Sequence, residues 1–172
     1  MSRYSEYFLA SSSSIVQLEL LDVIHPNFTK VYRIVRNAID GVDVTLEPGP
    51  PGNGAVVHYD YYPLRITSLG HKDNLDSGLK IELGDLGQVL PLELDAVAAA
   101  GGFEIKPTVI YRTYRSDDLT QPLFGPLTLQ IVEFTFNKEG AMFEAKAPSL
   151  NVTQTGETYS IARFPMLRGF IA

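Results

Sequence analysis

Cysteine and tryptophan are both missing from this sequence of 172 residues. Without cysteine there is no disulfide framework, no thiol nucleophile and no thiolate ligand for an iron–sulfur cluster. Histidine is scarce: His25, His58 and His71 are the full set, and no HxH or HExxH spacing brings two together. A zinc centre would therefore need ligands gathered from scattered segments, and neither a metal nor a cofactor is expected. Positive charge is in deficit, with 14 Lys and Arg against 20 Asp and Glu and a net charge of -6. That balance argues against nucleic-acid binding, which needs clustered cations to replace counterions on phosphates. No run approaches the ~18 uninterrupted apolar residues of a membrane helix. Met1 to Ala10 also lacks the basic-then-apolar layout of a signal peptide. A protein made and folded in a cytoplasm, with no membrane insertion, is the expectation. The triplets Asn27-Phe28-Thr29 and Asn151-Val152-Thr153 carry little weight as glycosylation sites without a secretory route.

Motifs for chemistry are equally thin. There is no GxSxG elbow, Walker A loop or GxGxxG turn. Asp73-Asn74-Leu75-Asp76-Ser77-Gly78 fails as a calcium loop, because Leu75 takes a ligand position and the twelfth residue is Gly84. It reads as a polar turn. The acidic pairs Asp117-Asp118 and Glu93-Asp95 read as solvated turn and helix faces rather than catalytic carboxylates. His25 and His71 read as surface residues, and His58 as packed or solvated. No enzyme is expected.

What the chain does have is an ordinary globular balance, 45% hydrophobic and 20% charged, in a length that suits one domain. Strand patterns dominate: Ile15–Ile24, Val31–Asn37, Val42–Leu46, Ala55–Tyr62, Leu64–Leu69, Leu79–Leu83, Thr108–Tyr114, Leu127–Phe136 and Ala141–Ala147. Asp40-Gly41 predicts a two-residue hairpin turn, Asn137-Lys138-Glu139-Gly140 a four-residue one, and Pro63 a break. Arg3 to Ala10 suits a short helix ended by the serine spacer Ser11–Ser14. Pro91 to Ala100 suits a longer one, with Leu92, Ala96 and Ala99 on one face and Gly101-Gly102 as the stop.

The prolines and glycines of 47–54 exclude helix and sheet interior, so an exposed loop is expected there. The sum is one mostly β domain over 1–172, an antiparallel sandwich or partly closed barrel with one embedded short helix and extended arms. Nine tyrosines and nine phenylalanines include Tyr59, Tyr61 and Tyr62, whose alternation suits either core packing or subunit contacts.

Four stretches carry a family resemblance. The first is Arg3-Tyr4-Ser5-Glu6-Tyr7-Phe8 with Leu18-Glu19-Leu20 and His25-Pro26, and the second is Tyr32-Arg33-Ile34-Val35-Arg36-Asn37. The third runs from Tyr62-Pro63-Leu64-Arg65-Ile66 through Asp76-Ser77-Gly78-Leu79, and the last is Tyr159 to Phe170. In these the chain resembles short tail proteins from the tail-tip gene clusters of long-tailed bacteriophages, similar in layout to the N-terminal part of minor tail hub proteins. The larger hub proteins often add a cysteine-bound iron–sulfur domain, which a chain without cysteine lacks.

The resemblance implies a structural protein of the virion, in the tail tip or baseplate. It would join the tail tube to the receptor-binding tip as a ring, trimeric or hexameric, among neighbouring tail-tip proteins. A carbohydrate-binding β-sandwich module and, less favoured, a tail-associated hydrolase are the alternatives. The C-terminal arm, 159–172, is the expected assembly contact. Phe164, Met166, Leu167 and Phe170 supply apolar surface, Arg163 and Arg168 bracket them, and Pro165 and Gly169 discourage a helix.

Overall fold

The computed structural model describes residues 15–69, 78–84, 89–99, 101, 104–137 and 140–147. The expectations for the Arg3–Ala10 helix, the serine spacer, His71, the Asp73–Ser77 turn and the C-terminal arm lie outside the described residues.

The described chain is mostly β with one short helix. Its elements are β1 (Gln17–Ile24), β2 (Tyr32–Val35), β3 (Val42–Thr45), β4 (Val56–Tyr61), β5 (Leu64–Leu69), β6 (Gly78–Leu83), α1 (Val89–Ala99), β7 (Thr108–Arg115), β8 (Phe124–Asn137) and β9 (Gly140–Lys146). All nine strands join one unclosed sheet in the order β3-β4-β2-β1-β7-β8-β9-β6-β5. Every pairing is antiparallel except β2 with β4. Each expected strand is found within a few residues of its predicted ends.

One expected connection is not found. Asp40-Gly41 does not close a hairpin, because β4 lies between β2 and β3 and pairs with both. Gly41 instead sits at φ 74° and donates its N–H to the Ala38 carbonyl at 3.1 Å. This is a local turn that carries β3 outward and leaves the slot beside β2 for β4. At the other hairpin β8 and β9 do pair, and the ladder runs on to Asn137 and Gly140, tighter than the expected four-residue loop.

The sheet curls over itself. Only Tyr62 and Pro63 separate β4 from β5, yet these strands stand near opposite ends of the strand order. Leu21, Tyr32 and Ile34 from β1 and β2 accordingly pack in one core with Leu64, Ile81, Leu83 and Phe143 from β5, β6 and β9. A second core forms on the other side of β1 from Leu18, Leu20, Val35, Val44, Tyr59 and Tyr114. β1 is buried on both faces from Leu20 to Val23, which is why its alternation fades into an apolar run. Each fully buried aliphatic side chain contributes about 1.5–3 kcal/mol.

α1 begins two residues before the expected start, and its packing face is not the predicted one. Ala96 and Ala99 are exposed, while Glu93 and Val97, four apart, are buried. No helix among the described residues is long and apolar enough to cross a membrane.

Candidate assembly site

A charged cluster inside the second core fixes the shape of this end of the sheet. Arg112 on β7 lies directly across from Leu20 of β1, on the apolar face, and is 1% exposed. Its Nη1 donates to Asp22 Oδ2 at 2.6 Å, and its Nε and Nη2 donate to the two Glu47 oxygens at 2.8 Å each. The Glu47 fork is bidentate, the strong geometry for a guanidinium. Burial works against charge on Arg112, but Glu47 and Asp22 outweigh it and hold the guanidinium above its ordinary pKa. Burial would likewise raise Glu47, yet the bonds from Arg112, and its charge, hold that carboxyl below its ordinary value of 4.5. Tyr59 closes the cluster, its hydroxyl pushed upward by burial and by the Asp22 charge.

This cluster corrects part of the loop expectation. Pro48 to Pro51 are exposed as predicted, but Glu47 at the loop base turns inward to Arg112. Its carbonyl accepts from the Gly54 N–H at 3.1 Å, and Gly52 packs so closely on it that a Cβ would lie 2.3 Å from the Glu47 carbonyl oxygen. The loop is exposed at its tip and tied to the core at its root.

Two further side chains expected at the surface are buried. The His25 Nδ1 accepts from the Asn27 N–H at 3.1 Å, so Nε2 carries the hydrogen and donates to the Ile105 carbonyl at 2.9 Å. The ring thereby ties the end of β1 to the segment entering β7. Glu93 accepts from the Tyr32 hydroxyl at 2.6 Å, from the Thr29 N–H at 3.0 Å and from the Thr29 hydroxyl. These bonds dock α1 on the β1–β2 connection, and the hydroxyls of Thr29 and Tyr32 hold the Glu93 carboxyl below its ordinary value.

An open groove of about 640 Å³ lies at the point where the sheet doubles over. Arg36 and Asn37 reach it from the end of β2, Tyr61 from β4, Pro63 to Arg65 from the crossover, and Glu82 and Met142 from β6 and β9. The Tyr62 N–H donates to the Val35 carbonyl at 3.2 Å, and the Gly84 N–H donates to the Pro63 carbonyl at 2.9 Å, stitching the crossover to both walls. Arg36 is held by Glu19 at 2.6 Å, whereas Arg65 has no ion-pair partner among the described residues. Tyr61 is exposed, and Ile39, 80% exposed, stands in the shallower pocket that shares Tyr61. The surface sets arginine and tyrosine, two of the side chains that concentrate binding energy at interfaces, beside aliphatic groups.

His58 lines that neighbouring pocket and is solvated, its Nδ1 2.7 Å from Asp43 Oδ1 and its Nε2 3.7 Å from Asp60 Oδ1. No group of three metal-ligating side chains occurs among the described residues. The acidic pair at Asp117 is a turn, with Arg115 bonded to Asp117 at 2.6 and 2.9 Å. The expected contact residues Arg163, Phe164, Pro165, Met166, Leu167, Arg168 and Phe170 lie outside the described residues.

Sequence reasoning missed Asp22, Glu47 and Arg112. The available signal was two isolated charges of opposite sign, Asp22 in Leu20-Leu21-Asp22-Val23 and Arg112 in Val109-Ile110-Tyr111-Arg112, each inside an apolar strand. Nothing in the sequence marks Glu47, whose role depends on the turn that follows it.

The model of the DUF1833 family, described as a domain of unknown function, matches residues 4–139. The chain belongs to this family, and the match takes in every described element from β1 through β8. No curated protein matches the chain.

Proposed function

We propose that the chain is a structural component of a bacteriophage tail tip or baseplate, a hub or distal-tail adaptor that works through subunit contacts. One observation carries the reading. Two of the stretches that resemble phage tail proteins, Tyr32–Asn37 and Tyr62–Ile66, are 25 residues or more apart in sequence, yet they converge on one groove. Arg36 and Asn37 come from the first, and Pro63, Leu64 and Arg65 from the second. Both stretches also feed the cores through Tyr32, Ile34, Val35 and Leu64, and Arg36, Asn37, Pro63 and Arg65 are the part of them available for a subunit contact. The lining is suited to protein: Tyr61, Met142 and Pro63 give apolar area, and Arg36, Arg65 and Glu82 give charge of both signs at the rim.

A sugar platform would present several aromatic faces, and Tyr61 is the one aromatic among the described lining residues. The protein reading is therefore preferred to the carbohydrate one.

The test is complementation of a phage that lacks the gene. Arg65→Glu and Tyr61→Ala change solvent-facing groove residues, so the purified variants should melt within about 1 kcal/mol of the parent. Both should fail to enter particles. Normal incorporation of both variants would remove the groove from the account.

A further inference from the structure

We infer that Asn53 is a site of spontaneous covalent modification: it deamidates through a cyclic imide closed by Gly54, and the root of the 47–54 loop governs the rate. This chemistry is independent of the tail reading.

Ring closure needs an asparagine whose successor leaves its backbone nitrogen unshielded. Of the six asparagines in the chain, Asn53 alone precedes a glycine, and each of the others is followed by a residue with a side chain. Asn53 and Gly54 are both exposed, so water reaches the pair. Gly54 sits at φ 70°, and a Cβ there would meet no described residue within 4 Å, which leaves room for the ring.

The reaction balances with water as the co-reactant. The Gly54 nitrogen gives its proton to hydroxide and attacks the side-chain amide carbon of Asn53, and the new C–N bond closes a five-membered imide. The bond from that carbon to the side-chain nitrogen breaks, and the nitrogen takes a proton back from water and leaves as ammonia. Water then opens the imide at either carbonyl, giving aspartate or its backbone-lengthened isomer. The net change is one water consumed, one ammonia released and one negative charge added to a chain of net charge -6.

The fold restrains both reacting groups. The Gly54 N–H donates to the Glu47 carbonyl at 3.1 Å, so the proton that must leave first is turned into the loop. The Asn53 Oδ1 accepts from the Ala55 N–H at 2.9 Å, which holds the side-chain amide across the turn. Attack requires these bonds to open. The carbonyl that guards Gly54 belongs to the residue whose carboxylate receives two bonds from Arg112 at 2.8 Å. A buried ion pair thereby limits how often the exposed pair is free to react.

Incubation of the purified full-length chain at mildly alkaline pH, with and without urea, tests this by intact mass and peptide mapping. Deamidation adds one mass unit, whereas the Asp40-Gly41 pair closes the same ring with no change of mass. In urea Asn53 should react ahead of the other asparagines. In the folded chain it should react roughly tenfold more slowly than in urea, because two hydrogen bonds must open first. Gly52→Ala keeps the reacting pair but puts a Cβ 2.3 Å from the Glu47 carbonyl oxygen, displacing the guard. It should raise the rate toward the urea value with the circular-dichroism signal of the sheet unchanged. Glu47→Gln, which weakens the hold of Arg112 on the loop root, should act in the same direction. Absence of the mass gain at Asn53 in urea would overturn the site. Equal rates in the folded and unfolded parent would overturn the restraint, as would a Gly52→Ala rate equal to the folded parent's or raised only with loss of the sheet signal.

Discussion

Replacing Arg112 by methionine is the sharpest perturbation of the fold. The side chain is sealed between two carboxylates, with Asp22 at 2.6 Å and both Glu47 oxygens at 2.8 Å. Methionine keeps the bulk but strands two carboxylates in the core. Removing one partner of a buried ion pair costs about 3–5 kcal/mol, a large share of a typical domain stability of roughly 5–15 kcal/mol. For a chain of this size that lowers Tm by roughly 6–20 °C.

The pH dependence should also reverse. In the parent the folded-state pKa of Glu47 lies below its ordinary value of 4.5. Its contribution is full above that value and is lost as pH falls through the folded pKa. In Arg112→Met the unpaired carboxylates bind protons more readily folded than unfolded, so stability should rise as pH falls from 7 toward 4. The triple variant Asp22→Asn, Glu47→Gln, Arg112→Met removes the charges together and should recover most of the loss. Urea melts followed by circular dichroism at several pH values measure all of this. A loss below about 1 kcal/mol, or an unchanged pH slope, would refute the argument.

Other expectations concern the periphery of this cluster. Deleting Gly49 to Pro51 while keeping Glu47 should change stability by less than about 1 kcal/mol, whereas Glu47→Ala should cost about 3 kcal/mol, both read from urea midpoints. Glu93→Gln weakens the docking of α1 and should cost about 1–3 kcal/mol in the same assay. It should also let the Tyr32 hydroxyl, pushed up to about 12 by burial and by Glu93, ionise at lower pH. Tyr114 is pushed up to about 12 by burial, and Tyr59 and Tyr111 higher still. A raised tyrosine pKa leaves stability intact below the unfolded value of about 10 and erodes it as pH climbs beyond. Absorbance at 295 nm should therefore show at least four of the nine tyrosines ionising only as the sheet signal collapses. Independent titration of all nine near pH 10 would contradict the burial argument.

The strands were legible because period-two patterns are local. Leu79, Ile81 and Leu83 read as inward-facing from sequence, and two of them are core residues with Leu79 packed beside them. Topology was not legible at Asp40-Gly41, since a turn signal says where the chain bends and not which strand will fill the neighbouring slot. The buried polar residues were misread for one common reason. His25 and Glu93 look solvated by residue type, and what buries them is a partner far along the chain: Ile105 for the histidine, Thr29 and Tyr32 for the glutamate. A burial penalty that a distant donor or acceptor offsets leaves no mark on local sequence. The groove was half legible: its two stretches stood out by resemblance, but only the crossover at Tyr62-Pro63 brings them together.

The proposal that this chain is a phage tail-tip protein is tested most directly by cryo-electron microscopy of phage particles purified from cells that express it. The account predicts a ring at the distal end of the tail whose subunit density fits the nine-stranded sheet. The groove lined by Arg36, Tyr61 and Arg65 should face an adjacent chain. Particles that are complete and infectious with no copy of the chain in the tail would contradict it.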